Sequence, residues 1–371
     1  MASSPLHRHQ SSLENIPYSS PDLSLDTELR GDASYKLYSI CEHFDTGRPH
    51  RDFSRPRLIR YTYTYSLSQE SRDYFLRAFF RAVDLRIDGN EHINFEAIRS
   101  KFFDFGDYLF NNFFLPVKAF TRMTPQPSPA PHSAVQEAQS QDEVRLSALQ
   151  RDCLIRDRHR CVISRRFDFT KALERRNAPN WAQDDEGNLL ENDPDDPEFL
   201  EVAHILPHLL TRVNQGELDH PKSHMLAILN MLDVGVAELI QSSEIDRPRN
   251  ALTLTAHYHR SFRDFQVYFE HFPDKDHIYT IKTFYPKYLV RRAAFPVTRE
   301  LYLTPNRTIE PPSRRLLALH CAIAHILHLS AAGDYIDKIY GDLEEKGVQA
   351  DGSTPLGRFV SLAISEQNPS V

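Results

Sequence analysis

Two stretches decide how this chain is read. One is Glu201-Val202-Ala203-His204-Ile205-Leu206-Pro207. The other is Ile245-Asp246-Arg247-Pro248-Arg249-Asn250-Ala251-Leu252-Thr253-Leu254-Thr255-Ala256-His257-Tyr258-His259. In the first, Pro207 cannot donate to a sheet ladder, so a strand carrying His204 ends soon after it. In the second, Asn250 to Leu254 reads as a short strand and Thr255 to Phe265 as the helix that follows. An imidazole that is neutral near pH 7 can take a proton from water. Singly these residues say little: an Asn at the head of a strand is ordinarily a turn or cap residue, and His257 and His259 are ordinarily helix-surface groups. Their order and spacing carry the signal.

Upstream lies a third short segment, Arg160-Cys161-Val162-Ile163-Ser164. Together the three resemble the HNH endonuclease family. The likeness is to a branch with a C-x-[IV]-[ST] start, an A-H-I-[IL]-P centre and an N-x-L-x-L…H-x-x-F end, found in fungal HNH nuclease domain-containing proteins. It covers about residues 145–285. It implies an α+β fold in which a ββα-metal (HNH-like) core sits within a mainly helical chain.

By the same resemblance His204 is the general base, Asn250 holds that base in orientation, and His259 binds a divalent metal ion. The ion expected is Mg²⁺ or Mn²⁺, with Zn²⁺ as an alternative. The implied reaction is hydrolysis of phosphodiester bonds in DNA, with RNA as a second substrate class. One position departs from the pattern. Many family members carry Asp or His just before the base, and here that residue is Ala203, which cannot bind metal. Glu201 lies two residues earlier on the same strand and faces the same side as Ala203, so it is the preferred replacement. His257 is the other candidate, although it sits about 200° around a helix from His259. If neither serves, the chain is a catalytically impaired relative that binds nucleic acid or protein as a scaffold. Some branches hold a structural zinc with two C-x-x-C pairs, but here Ser164 follows Cys161-Val162-Ile163 and Cys161 reads as a small buried residue.

The chain has 371 residues, with 44 Lys+Arg against 51 Asp+Glu and a formal charge of −7. A global positive field is absent, which argues against a bulk nucleic-acid coat. Local counts revise this. Arg145 to Arg176 holds ten Lys/Arg and four Asp/Glu, a balance of +6, whereas residues 184–201 hold nine Asp/Glu and no Lys/Arg. Arg156, Arg158, Arg160, Arg165 and Arg166 are therefore candidates for phosphate contact, with a solvated helix face as the plain alternative. The acidic segment reads as a solvated insertion that can screen this surface or compete with DNA for it. A second basic group is Lys282, Lys287, Arg291 and Arg292.

Forty per cent hydrophobic residues suffices for a buried core, and four cysteines without a C-x-x-C pair fit a reducing compartment. With no apolar leader and no apolar run of 18 residues, an intracellular chain, nuclear or cytoplasmic, without a membrane span is expected. Residues 1–30 read as a disordered tail and 31–120 as a mainly helical region. Residues 121–142 form a Pro/Ser/Gln linker, 143–285 the HNH-like segment and 286–371 a helical extension. Within 31–120, Tyr61, Tyr63 and Tyr65 alternate with Thr62, Thr64 and Ser66, which predicts a strand. The many Phe residues from Phe102 to Phe114 predict a helical core rather than a base-stacking surface. His320, His325 and His328 do not share one helix face and are expected to pack rather than to bind metal.

Overall fold

A computed structural model describes residues 24–47, 53–88, 92–123, 141–177, 182–207, 220–289 and 295–346. Most of the expected tail and linker, as well as Arg291 and Arg292, lies outside these residues. The fold is α+β. Four helices come first: α1 (Thr27–Phe44), α2 (Arg55–Thr64), α3 (Gln69–Ala82) and α4 (Phe95–Leu109). A π-turn at Phe110–Phe114 runs on into α5 (Leu115–Met123). Side chains cap the four starts, with Asp26, Ser54, Ser68 and Asn94 each accepting a backbone N–H of the first turn. Phe75, Phe79, Phe102, Phe105, Phe113 and Phe114 are fully buried, which is the core role their spacing predicted.

The strand predicted at 61–66 is instead the end of α2. Pro56, Leu58, Ile59, Thr62 and Tyr63 are the buried residues of that helix, a helical rather than an alternating pattern. The hydroxyls that favour extended chain are absorbed within the helix: Thr62 Oγ1 donates to the Leu58 carbonyl and Thr64 Oγ1 to that of Arg60. Packing of the aromatic face overrode local β-propensity. At the other end of the region, α1 begins at Thr27, inside the stretch expected to be a tail.

The second half begins with α6 (Gln141–Arg156) and α7 (Phe169–Arg175). Strand β1 (Leu200–His204) pairs antiparallel with β2 (Ala251–Thr255), with Glu201 opposite Leu254 and His204 opposite Ala251. Helix α8 (His220–Leu232) lies between them in sequence, and α9 (Ala256–Arg263) follows β2 without a loop. A three-stranded antiparallel sheet then forms from β3 (Val267–His271), β4 (Ile278–Thr283) and β5 (Val297–Glu300), in that order. Helices α10 (Arg314–Leu329) and α11 (Ala332–Lys346) follow, with α10 lying against β3. Among the described residues no single helix is long and apolar enough to cross a membrane.

The N-terminal helices and the ββα unit are joined at α8. The last carbonyls of a helix lack intrahelical partners. Here Ser66 Oγ donates to the Met231 carbonyl at 2.7 Å and Leu67 N to the Leu232 carbonyl at 2.8 Å. Just beyond, Asp233 takes a two-point bond from Arg315 of α10. His320, midway along α10, stacks on Phe262 and Phe265, and its Nε2 lies 3.1 Å from the Phe262 carbonyl.

Candidate functional site

The antiparallel β1–β2 pair has two working faces because side chains alternate along a strand. On one face Val202 packs against Leu149 and Cys153 of α6 together with Ala251. On the other, Glu201 and Ala203 face α9. Thr255 caps α9, its hydroxyl accepting from Tyr258 N, and the helix turns His259 back over β1. The result is a contact between His259 Nδ1 and Glu201 Oε2 at 2.7 Å, with side chains 12% and 28% exposed. Ala203, beside Glu201 on this face, is buried.

His204 ends β1 with the opposite parity. It lies three positions along the strand from Glu201, roughly 10 Å of strand rise. Its Nε2 lies 3.1 Å from Oδ1 of Asp246, in the 3₁₀ turn Ser242–Asp246, and that carboxylate is only 6% exposed. Sequence reading gave Asp246 no role, although it stands in the Ile245-to-Asn250 run that carried the family likeness. A contact spanning 42 residues leaves no periodic trace in a sequence.

Asn250 is fully buried and staples these two segments together. Its Oδ1 accepts from Leu206 N at 3.0 Å, and its Nδ2 donates to the carbonyls of Leu206 at 3.2 Å and Ile245 at 3.0 Å. Its own carbonyl accepts from Ile205 N at 2.7 Å. The chain just after His204 and the chain just before Asp246 are thus tied to one side chain.

The structure does not bring His257 to this place. It is exposed on α9, edge-on to Tyr258, while His259 faces β1. Among the described residues no group of three or more His, Cys, Asp or Glu is arranged to hold a metal ion. Glu201 and His259 form a pair. Their donor set, one carboxylate oxygen and one imidazole nitrogen, suits a divalent ion that keeps other positions for water or phosphate oxygens. Glu201 and His259 are the residues that would hold such an ion.

The arginine cluster needs correction. Arg156 has no exposed side-chain surface and cannot meet a phosphate. Its guanidinium grips Asp157 through two bonds of 2.8 Å and donates to the carbonyls of Pro248 and Ala251. Asp157 in turn accepts from Thr253 N, so the pair fastens α6 to β2. The acidic insertion is not a detached loop but lies on the basic face. Arg160 pairs with Asp184 at 3.0 Å and Asp193 at 2.7 Å, Arg158 with Glu186, and Arg166 with Glu198 and Asp195. Arg158 and Arg165 both lie over the Tyr302 ring. Burial holds the Arg165 guanidinium below its ordinary range. Cys161 is buried, its sulfur accepting from Ser164 N.

The family model described as HNH endonuclease matches residues 161–270. No curated protein and no solved structure shows a match to the chain. The matched span starts at Cys161, takes in His204, Asp246, Asn250 and His259, and ends on β3. Residues 161–270 of this chain are thus similar to the HNH endonuclease family.

Proposed function

We propose that the chain is a metal-dependent HNH-type endonuclease that hydrolyses phosphodiester bonds in DNA, with His204 as general base. The observation that supports it most is the ββα unit that sets Glu201 against His259 on one face and His204 at the strand end. In this reading Glu201 supplies the ligand that Ala203 cannot, and the core is of the ββα-metal type. A divalent ion held there offsets charge on the phosphate and on the departing oxygen. His204 accepts the proton of the attacking water. The water oxygen bonds to phosphorus, the bond from phosphorus to the sugar oxygen breaks, and the sugar oxygen collects a proton from solvent. Asn250 keeps the base in place through the backbone on either side.

A second reading keeps the fold without the chemistry, as a nucleic-acid-binding or protein-interaction scaffold. One observation favours it: Arg158, Arg160 and Arg166, the cations best placed for phosphates, already pair with the acidic segment. Supercoiled plasmid separates the two. The nuclease reading expects nicking with Mg²⁺ or Mn²⁺, none with chelator, and loss in His204→Ala. Full nicking by His204→Ala removes that residue from the mechanism. Salt-dependent binding without nicking by the wild type establishes the scaffold.

A further inference from the structure

Resting on the nuclease reading, we infer that Asp246 is the positioning residue for His204 and fixes Nδ1 as the ring nitrogen that takes the proton. A carboxylate with 6% of its side chain exposed has lost most of its hydration, and such a group is kept ionised only by partners that replace that water. His204 is one, at 3.1 Å from Nε2. An ionised carboxylate can only accept, so in the neutral imidazole the proton sits on Nε2 and the lone pair on Nδ1. When Nδ1 takes a proton from water, the imidazolium forms beside an anion already in place. Asp246 itself stays ionised.

The surroundings are built to hold this contact. Ile245 is fully buried and its carbonyl is bonded to Asn250, one residue from Asp246. Arg247 pairs with Glu310 and Glu244, and Arg249 with Glu244. One asparagine therefore positions both the base and the carboxylate that orients it, because it ties Leu206 to Ile245.

The test is a long-range ¹H–¹⁵N spectrum of the full chain with ¹⁵N-labelled histidine, the His204 signals being those missing in His204→Gln. The wild type at a pH where His204 is neutral is expected to show the Nε2–H form. In Asp246→Ala the tautomer ratio is expected to relax from nearly pure Nε2–H toward that of a free imidazole, with plasmid nicking falling roughly 10²-fold at saturating DNA and little change in KM. A wild-type Nδ1–H form overturns the inference, and needs no variant to be seen. So does an Asp246→Ala spectrum whose tautomer ratio equals that of the wild type. The tautomer is read whether or not the protein cuts DNA. Absence of nicking with the expected tautomers counts against the nuclease reading, while unexpected tautomers beside normal nicking count against the role of Asp246.

Discussion

Replacing Asn250 with alanine strips three hydrogen bonds from a site without solvent. The groups left behind are Leu206 N, the Leu206 carbonyl and the Ile245 carbonyl. Asn250 itself is fully buried, so water cannot take its place without opening the fold. An orphaned buried polar group costs about 1–3 kcal/mol. The two carbonyls keep some capacity to relax and the three costs overlap, so the total expected is about 3–5 kcal/mol. For a domain of this size each kcal/mol moves the thermal midpoint by roughly 2–4 °C, which places Asn250→Ala about 10 °C below the wild type. Asn250→Asp is the informative partner, because it keeps an acceptor for Leu206 N and loses both donors. Differential scanning calorimetry at pH 7 should therefore rank wild type first, then Asp, then Ala or close to it. A midpoint for Asn250→Ala within 2–3 °C of the wild type, about 1 kcal/mol by the same scale, refutes the staple.

Further outcomes follow from other parts of the molecule. Arg156→Met leaves the Asp157 carboxylate buried beside Thr253 N with its main partner gone, a loss of about 3–5 kcal/mol by denaturant melting; an effect below 1 kcal/mol contradicts its role as a fastener. Glu186→Gln with Glu198→Gln and Asp195→Asn removes the acidic partners of Arg158 and Arg166, so fluorescence anisotropy should find tighter DNA binding and a salt slope steeper by about one to two units; an unchanged slope means the arginines do not face DNA. Burial pushes the His320 imidazole down to about 3, against the Phe262 carbonyl that favours its charged form. Below its ordinary range the unfolded chain takes up a proton that the folded chain refuses, so this residue makes stability fall as pH drops from about 6.5 toward 3. His320→Phe should flatten that part of the stability–pH curve, and an equal slope in both proteins shows that His320 is not its source.

Sequence legibility followed the range of the interactions. The strand after Asn250, the helix carrying His259 and the Phe-rich helices are set by local spacing, and their positions could be read within a residue or two. The Tyr61–Ser66 stretch could not, since its helix depends on which face the surrounding core buries. Glu201 was within reach because strand parity places it beside Ala203, and His257 was weakened by helix angle alone. Asp246 and the cover of acidic residues over Arg158, Arg160 and Arg166 depend on pairings between distant segments. The same holds for Arg156, whose partner Asp157 is its neighbour in sequence but whose burial is imposed by β2 and the turn at Pro248.

The claim on which the site rests is that Glu201 and His259 together hold one divalent ion. Calorimetric titration of Mn²⁺ into the full chain measures this directly. The account predicts a single site in the wild type, unchanged in His257→Ala and lost or weakened at least tenfold in both Glu201→Gln and His259→Ala. A site that persists at full affinity in His259→Ala, or one that disappears in His257→Ala, contradicts it.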